Sequence, residues 1–200
     1  FQWRGSPIRV KFNVLALETL GFQVDVLVPP IGVHDDEISS QVHRVWSLPG
    51  VTNIPIGPSI PKFVFDIFLL FFALTFAFRT RYDVIHGTEE GGVIAWVVAR
   101  LTGAKCIYEK HSDPASHRKG GVKNLLLAIY RRVERFVARH TDAVICTGPG
   151  LECQARQYAP KTPVYRISDI PSSLHHPDQK EIDQVRSEIE TDTDNMLVTY

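Results

Sequence analysis

This sequence lacks an excess of charge of either sign: 22 Lys and Arg balance 22 Asp and Glu. Its electrostatics therefore give no reason to expect a nucleic-acid partner. Cysteine is scarce. Cys106, Cys146 and Cys153 are unevenly spaced, which excludes both a disulfide framework and a zinc pattern. They read as small hydrophobes in a reducing compartment. No GxGxxG fingerprint with its ribose-binding acid occurs, which disfavours a nicotinamide-dependent oxidoreductase. No serine sits in the glycine pattern of a nucleophile elbow, which disfavours a Ser-His-Asp hydrolase. A signal peptide is also missing. The chain starts at Phe1, its single methionine is Met196, and it reads as a fragment or a processed form.

A hydrophobic run long enough to span a bilayer is absent too. The longest, "FVFDIFLLFFALTFAF" at 63–78, is flanked by Lys62, Arg79 and Arg81 and contains Asp66. As a helix it would reach about 24 Å, short of a hydrocarbon core of roughly 30 Å. Two readings stay open: a buried helix covering a sheet, or a helix partly docked on a membrane surface.

What is present is an alternation of helix-length and strand-like segments. Helices are expected at 7–21, 63–78, 91–103, 122–140, 149–159 and 179–190. Strands are expected at 23–30, 42–48, 82–88, 105–111, 142–148, 163–168 and 195–200. A loop is expected over 49–61. The strand runs are near-continuously apolar, as burial on two faces requires, so the fold class is α/β with a parallel sheet covered by helices on both faces. The stretch 169–178 reads as a linker, and His175–His176 within it as solvated.

Ligands of open parallel sheets bind beyond the carboxyl ends of the strands. Three places qualify. At "WRGSPIR" a glycine and a serine, Gly5 and Ser6, start a helix, which suits either an anion or a plain cap. At "GTEEGG", Glu89 and Glu90 precede a helix; they complement its dipole or accept from a sugar hydroxyl. His86, inside the preceding strand, reads as a core or supporting group. At "IYEKHSDP", 107–114, the letters His, Ser and Asp suggest a hydrolytic triad, but neighbours in extended chain point to opposite faces. That leaves Ser112 and Asp113 as turn residues. His111 ends a strand, either as a structural group or as an imidazole donating to a hydroxyl or phosphate. On 122–140, Arg131, Arg135 and Arg139 recur every fourth residue, as a solvated face or one meeting anionic lipid.

The order "RGSPIR", "YDVIHGTEEGG", "AKCIYEKHSD", "ERFVARHTDAVICTGPGL" and "YAPKTPVYRISD" resembles the N-terminal domain of family-4-type glycosyltransferases of the GT-B fold, from residue 4 to 200. The resemblance implies a Rossmann-like domain over 1–168, an interdomain linker and helix over 169–194, and the first strand of a C-terminal donor-binding domain over 195–200. The family's first strand would precede residue 1, so the domain is expected truncated at both ends.

The implied activity is a retaining, metal-independent transfer of a sugar from a nucleotide sugar to a glycan or lipid-linked acceptor, without a cofactor. Carried onto this sequence, Gly5 and Ser6 take the place of the donor-phosphate loop, although many relatives have two glycines there. His111 becomes the catalytic histidine, and Glu89 and Glu90 acceptor-binding residues. "ISDIPSS" replaces an Asn-Gly hinge turn. The expected location is the cytoplasm, with peripheral attachment to an anionic membrane surface through the arginine face. The competing reading is a non-catalytic sugar- or nucleotide-binding module of the same fold. The 200-residue chain alone is expected to be inactive.

Overall fold

The computed structural model describes residues 5–30, 38, 40–50, 60–113, 122–169 and 178–188. Six helices and six strands alternate within it. They are α1 (Gly5–Thr19), β1 (Asp25–Val28), β2 (Gln41–Arg44), α2 (Ile60–Arg79), β3 (Val84–Thr88), α3 (Gly91–Thr102), β4 (Lys105–Lys110), α4 (Val122–His140), β5 (Ala143–Cys146), α5 (Pro149–Tyr158), β6 (Val164–Arg166) and α6 (Gln179–Glu188). Every strand expected up to residue 168 is found and is shorter than expected, and β2 begins one residue before its expected start. The expected strand at 195–200, most of the linker at 169–178 and most of the loop at 49–61 lie outside the described residues.

All strand pairing is parallel, in two sheets of order β1-β2 and β3-β4-β5-β6. The chain separates into two compact units, Phe1–Asp169 and Ile170–Tyr200. Helix α6 belongs to the second. Its start is closed by a reciprocal cap, in which the amides of Asp178 and Glu181 each donate to the other's carboxylate at 2.9 Å.

In the first unit, side-chain alternation along β4 assigns the layers. Cys106 packs with Ala95 and Ala99 of α3, and Tyr108 with Val137 and Ala138 of α4. Glu109 points the opposite way, to Arg9 and Asn13 of α1. The four-stranded sheet therefore lies between α1 on one face and α3 and α4 on the other. Helix α1 also seats Val14 against Val26 and Ile38.

Close approach of α3 to the sheet depends on Gly92, where a Cβ would strike the ring of Tyr108. At the far end of α3, Gly103 takes φ 79° and its amide caps Ala99 O at 2.8 Å. Lys110 on the α4 side is buried and pairs with Glu134, which also accepts from the Tyr108 hydroxyl at 3.1 Å. A buried cation requires such a partner. Glu134, the single acid of a basic helix, supplies it.

Helix α2 is longer than the apolar run suggested. Its buried side includes Phe65 and Ala77, but Phe63, Ile67, Phe71 and Phe78 are exposed. Neither a fully buried nor a spanning helix describes it. Among the described residues, no helix is long and apolar enough to cross a membrane.

Candidate functional site

The carboxyl ends of β3, β4 and β6 meet the first turns of α1 around one buried carboxylate. Glu109 is 1% exposed. Arg9 Nε donates to its Oε1 at 2.5 Å, and Asn13 Nδ2 reaches its two oxygens at 3.2 and 3.0 Å. His86 Nε2 lies 2.9 Å from Oε2, and His111 Nε2 lies 3.2 Å from Oε1. Burial alone would raise the Glu109 carboxyl. The contacts with His111, His86 and Arg9 outweigh it and hold the group well below the usual carboxylate range.

Arg9 continues the network across the sheet edge. Its Nη1 donates to Asp169 at 2.9 Å and its Nη2 to the carbonyl of Ile167 at 2.7 Å. One guanidinium thus fastens α1 to the ends of both β4 and β6. Arg9 and Asn13 are one helical turn apart, and that spacing puts both on the face turned to Glu109.

His111 is the least satisfied group here. Its side chain is 6% exposed, yet the approach to Glu109 is out of line for a hydrogen bond, and among the described residues neither ring nitrogen has a hydrogen-bond partner. Buried polar atoms are nearly always paired, so this imidazole is available to a ligand. It lines a cavity of about 120 Å³ with Ser6, Arg9, Thr147 and Asp169. Gly5 and Ser6 open α1 at this point, so the helix's free amides and dipole lie at the same edge.

Glu89 and Glu90 have separate tasks. Glu89 sits at φ 53°, a left-handed backbone that costs a residue with a Cβ about 1 kcal/mol or more. Its amide donates to Glu109 O at 2.9 Å. Its carboxylate accepts from the His111 amide at 2.8 Å and the Ser112 hydroxyl at 3.1 Å. Burial raises its carboxyl, and the His111 amide partly offsets this. Glu90 turns to α2, accepting from Lys62 Nζ at 2.5 Å. Asp66, one turn beyond Lys62, is pushed up to about 6 by burial and by Glu90, against the pull of Lys62.

The apparent triad is dispersed. Ser112 is bonded to Glu89, while Asp113 accepts from Gln154 of α5 at 3.1 Å. The arginine face is also partly engaged. Arg135 lies 4.4 Å over the Tyr158 ring and Arg139 Nε donates to Tyr158 O at 2.6 Å, while Arg131 is half-buried.

A larger hollow of about 330 Å³ lies at the opposite edge, beside Arg100, Lys105, His140 and Asp142. Lys105 and Asp142 already pair there at 2.8 Å, and it faces the amino ends of the strands. The smaller cavity has the position that parallel sheets use for ligands, and it has the unpaired imidazole.

Sequence reasoning selected Gly5, Ser6, His111, Glu89 and Glu90; of these Ser6 and His111 line this cavity, and Gly5 starts the helix that carries Ser6. It missed Arg9, Asn13 and Glu109. The four-residue spacing of Arg9 and Asn13 was the available signal; nothing local announces a partner 100 residues away.

Residues 5–168 match the family described as "Glycosyl transferase 4-like domain". Sucrose-phosphate synthase from Thermosynechococcus elongatus superposes with a TM-score of 0.72 at 18% identity, over 96% of this chain and 48% of that one. A second, shorter structure of that synthase gives 0.55 at 17% identity, over 92% and 95%. MurG from Acinetobacter baumannii gives 0.49 at 16% identity, over 86% and 44%. The chain thus spans about half the length of the longer synthase structure. No curated protein matches.

Proposed function

The chain belongs to the glycosyl transferase 4-like family, and from that premise we propose that it is the acceptor-side half of a retaining glycosyltransferase. The enzyme moves a sugar from a nucleotide sugar to a glycan or lipid-linked acceptor, with no cofactor. The observation that carries this reading is His111, a buried imidazole without a hydrogen-bond partner among the described residues, in a cavity at the start of α1.

The roles follow from position. Ser6 and the first amides of α1 take donor phosphate oxygens. His111 donates to a hydroxyl of the transferred sugar or of the acceptor, strengthening its hold as charge develops. Arg9, paired with Glu109 and Asp169, braces the same wall. Glu89 acts chiefly through the chain, holding the His111 amide, and Glu90 with Lys62 and Asp66 forms the polar rim that an acceptor meets.

The test is His111→Ala in the full-length protein with a nucleotide-sugar panel. Transfer should fall by about a hundredfold or more, with folding unchanged. Intact transfer would favour a binding module of the same fold.

A peripheral membrane location on the cytoplasmic face forms part of the proposal. Its support is the exposed row Phe63, Ile67, Phe71 and Phe78 on α2, beside exposed Trp46 and the exposed Arg79 and Arg81. An apolar face bordered by cations fits an anionic bilayer surface. This row replaces the α4 arginines as the proposed contact, because Arg135 and Arg139 are occupied by Tyr158.

A further inference from the structure

We infer that Glu109 is a positioning residue for sugar transfer, acting through His111 and Arg9. The inference rests on the transfer reading above and deepens it.

Burying a carboxylate is costly, and pairing it with one cation repays that only where further hydrogen bonds satisfy its remaining lone pairs. Glu109 has more than that: Arg9, Asn13, His86 and His111 converge on its two oxygens within 3.2 Å. They come from three elements, α1, β3 and the end of β4, and two of the four side chains, Arg9 and His111, also line the cavity. The carboxylate therefore does more than neutralise a charge. It sets where the guanidinium and the imidazole stand relative to each other, and the backbone repeats the constraint from the other side. The Glu109 carbonyl accepts from the Glu89 amide, and the Glu89 carboxylate holds the His111 amide. His111 is thus fixed at its amide by Glu89, while its Nε2 lies 3.2 Å from the Glu109 carboxylate without hydrogen-bonding to it, and neither ring nitrogen has a hydrogen-bond partner among the described residues.

Neutralising Glu109 without changing its shape separates this role from plain packing. Glu109→Gln removes the negative charge and presents an amide N–H₂ to donors on one side, so the guanidinium loses its ionic acceptor and the ring loses the charge beside it. A displacement of about 1 Å in a group that touches the reacting centre costs on the order of a hundredfold in rate.

The experiment is a double-mutant cycle in the full-length protein: wild type, Glu109→Gln, His111→Ala and the double variant. Calorimetric nucleotide binding gives the active fraction of each. Glu109→Gln should lower kcat per active site by about ten- to a hundredfold, with the binding stoichiometry retained. In the His111→Ala background the same substitution should cost no more than about twofold, because the group it positions is gone. Losses that multiply in the double variant overturn the positioning role and leave the transfer reading standing. A His111→Ala enzyme as active as wild type overturns the catalytic role of His111, and the positioning role with it. Where Glu109→Gln does not fold, the cycle is run with Asn13→Ala, which frees the carboxylate on one flank. It should cost several-fold in the wild type and nothing once His111 is removed, and an equal cost in both backgrounds overturns the inference.

Discussion

Asp66 is a carboxylate in the most apolar helix of the molecule, and its protonation governs part of the stability. Burial raises its carboxyl from the ordinary 3.8 to about 6, so the folded state holds the proton more tightly than the unfolded chain does. Below about pH 4 both states are protonated and the group costs nothing. Stability is lost as pH rises from 4 to 6, and above 6 the full cost of a charged, half-buried carboxylate is present. Asp66→Asn should therefore stabilise the protein at pH 7 by about 1 kcal/mol, allowing for solvent screening, and leave it unchanged below about pH 4. Thermal melts across pH 4–7 check this; a difference that does not vary with pH would refute the assignment. Asp66 was visible in the sequence as an oddity in an apolar run, but its neighbours Glu90 and Tyr130 were not. Glu109 was harder still. In "IYEKHSDP" it reads as one of two charges in an alternating strand, and only α1 shows that it is the centre of the site.

At the scale of elements, helical periodicity and short apolar runs located every helix and strand that the structure describes, with ends displaced by a few residues. Periodicity is a property of one segment, so it fixed the elements better than their surroundings. The run 63–78 read as apolar all round, with its partner undecided. In the folded chain α2 presents Phe65 and Ala77 inward and leaves Phe63 and Phe78 each 66% exposed. Phe63, Ile67 and Phe71 recur every fourth residue and so form one stripe. Phe63→Glu with Ile67→Glu should leave the melting temperature within a few degrees, since neither side chain is in the core. The same pair should abolish flotation of the full-length protein with vesicles containing anionic lipid at low salt. Arg79→Glu with Arg81→Glu should weaken flotation only in the salt-sensitive part. Wild-type protein that fails to float under those conditions refutes the membrane reading.

In the function proposed above, the whole molecule supplies half of a reaction site. The cavity under His111 holds about 120 Å³, whereas sites that enclose a small-molecule ligand begin near 300 Å³. A nucleotide sugar is larger than this cavity, so the cavity can contact only a part of it. The chain also spans 48% of the length of the synthase it superposes on. The fold and the family were legible here because the order of strand ends and helix starts runs through the sequence. The depth of the cavity was not, since it is set by side chains of α1 and of the turns that follow β4, β5 and β6. Sugar transfer needs donor and acceptor held together with water excluded. The purified 200-residue chain should therefore melt cooperatively on the strength of its buried sheet, yet bind nucleotide sugar only weakly and show neither transfer nor donor hydrolysis. The full-length protein, assayed with the same donors and acceptors, should show transfer. Turnover by the chain alone, at a rate comparable to the full-length protein, would mean that these residues form a complete site despite the small cavity.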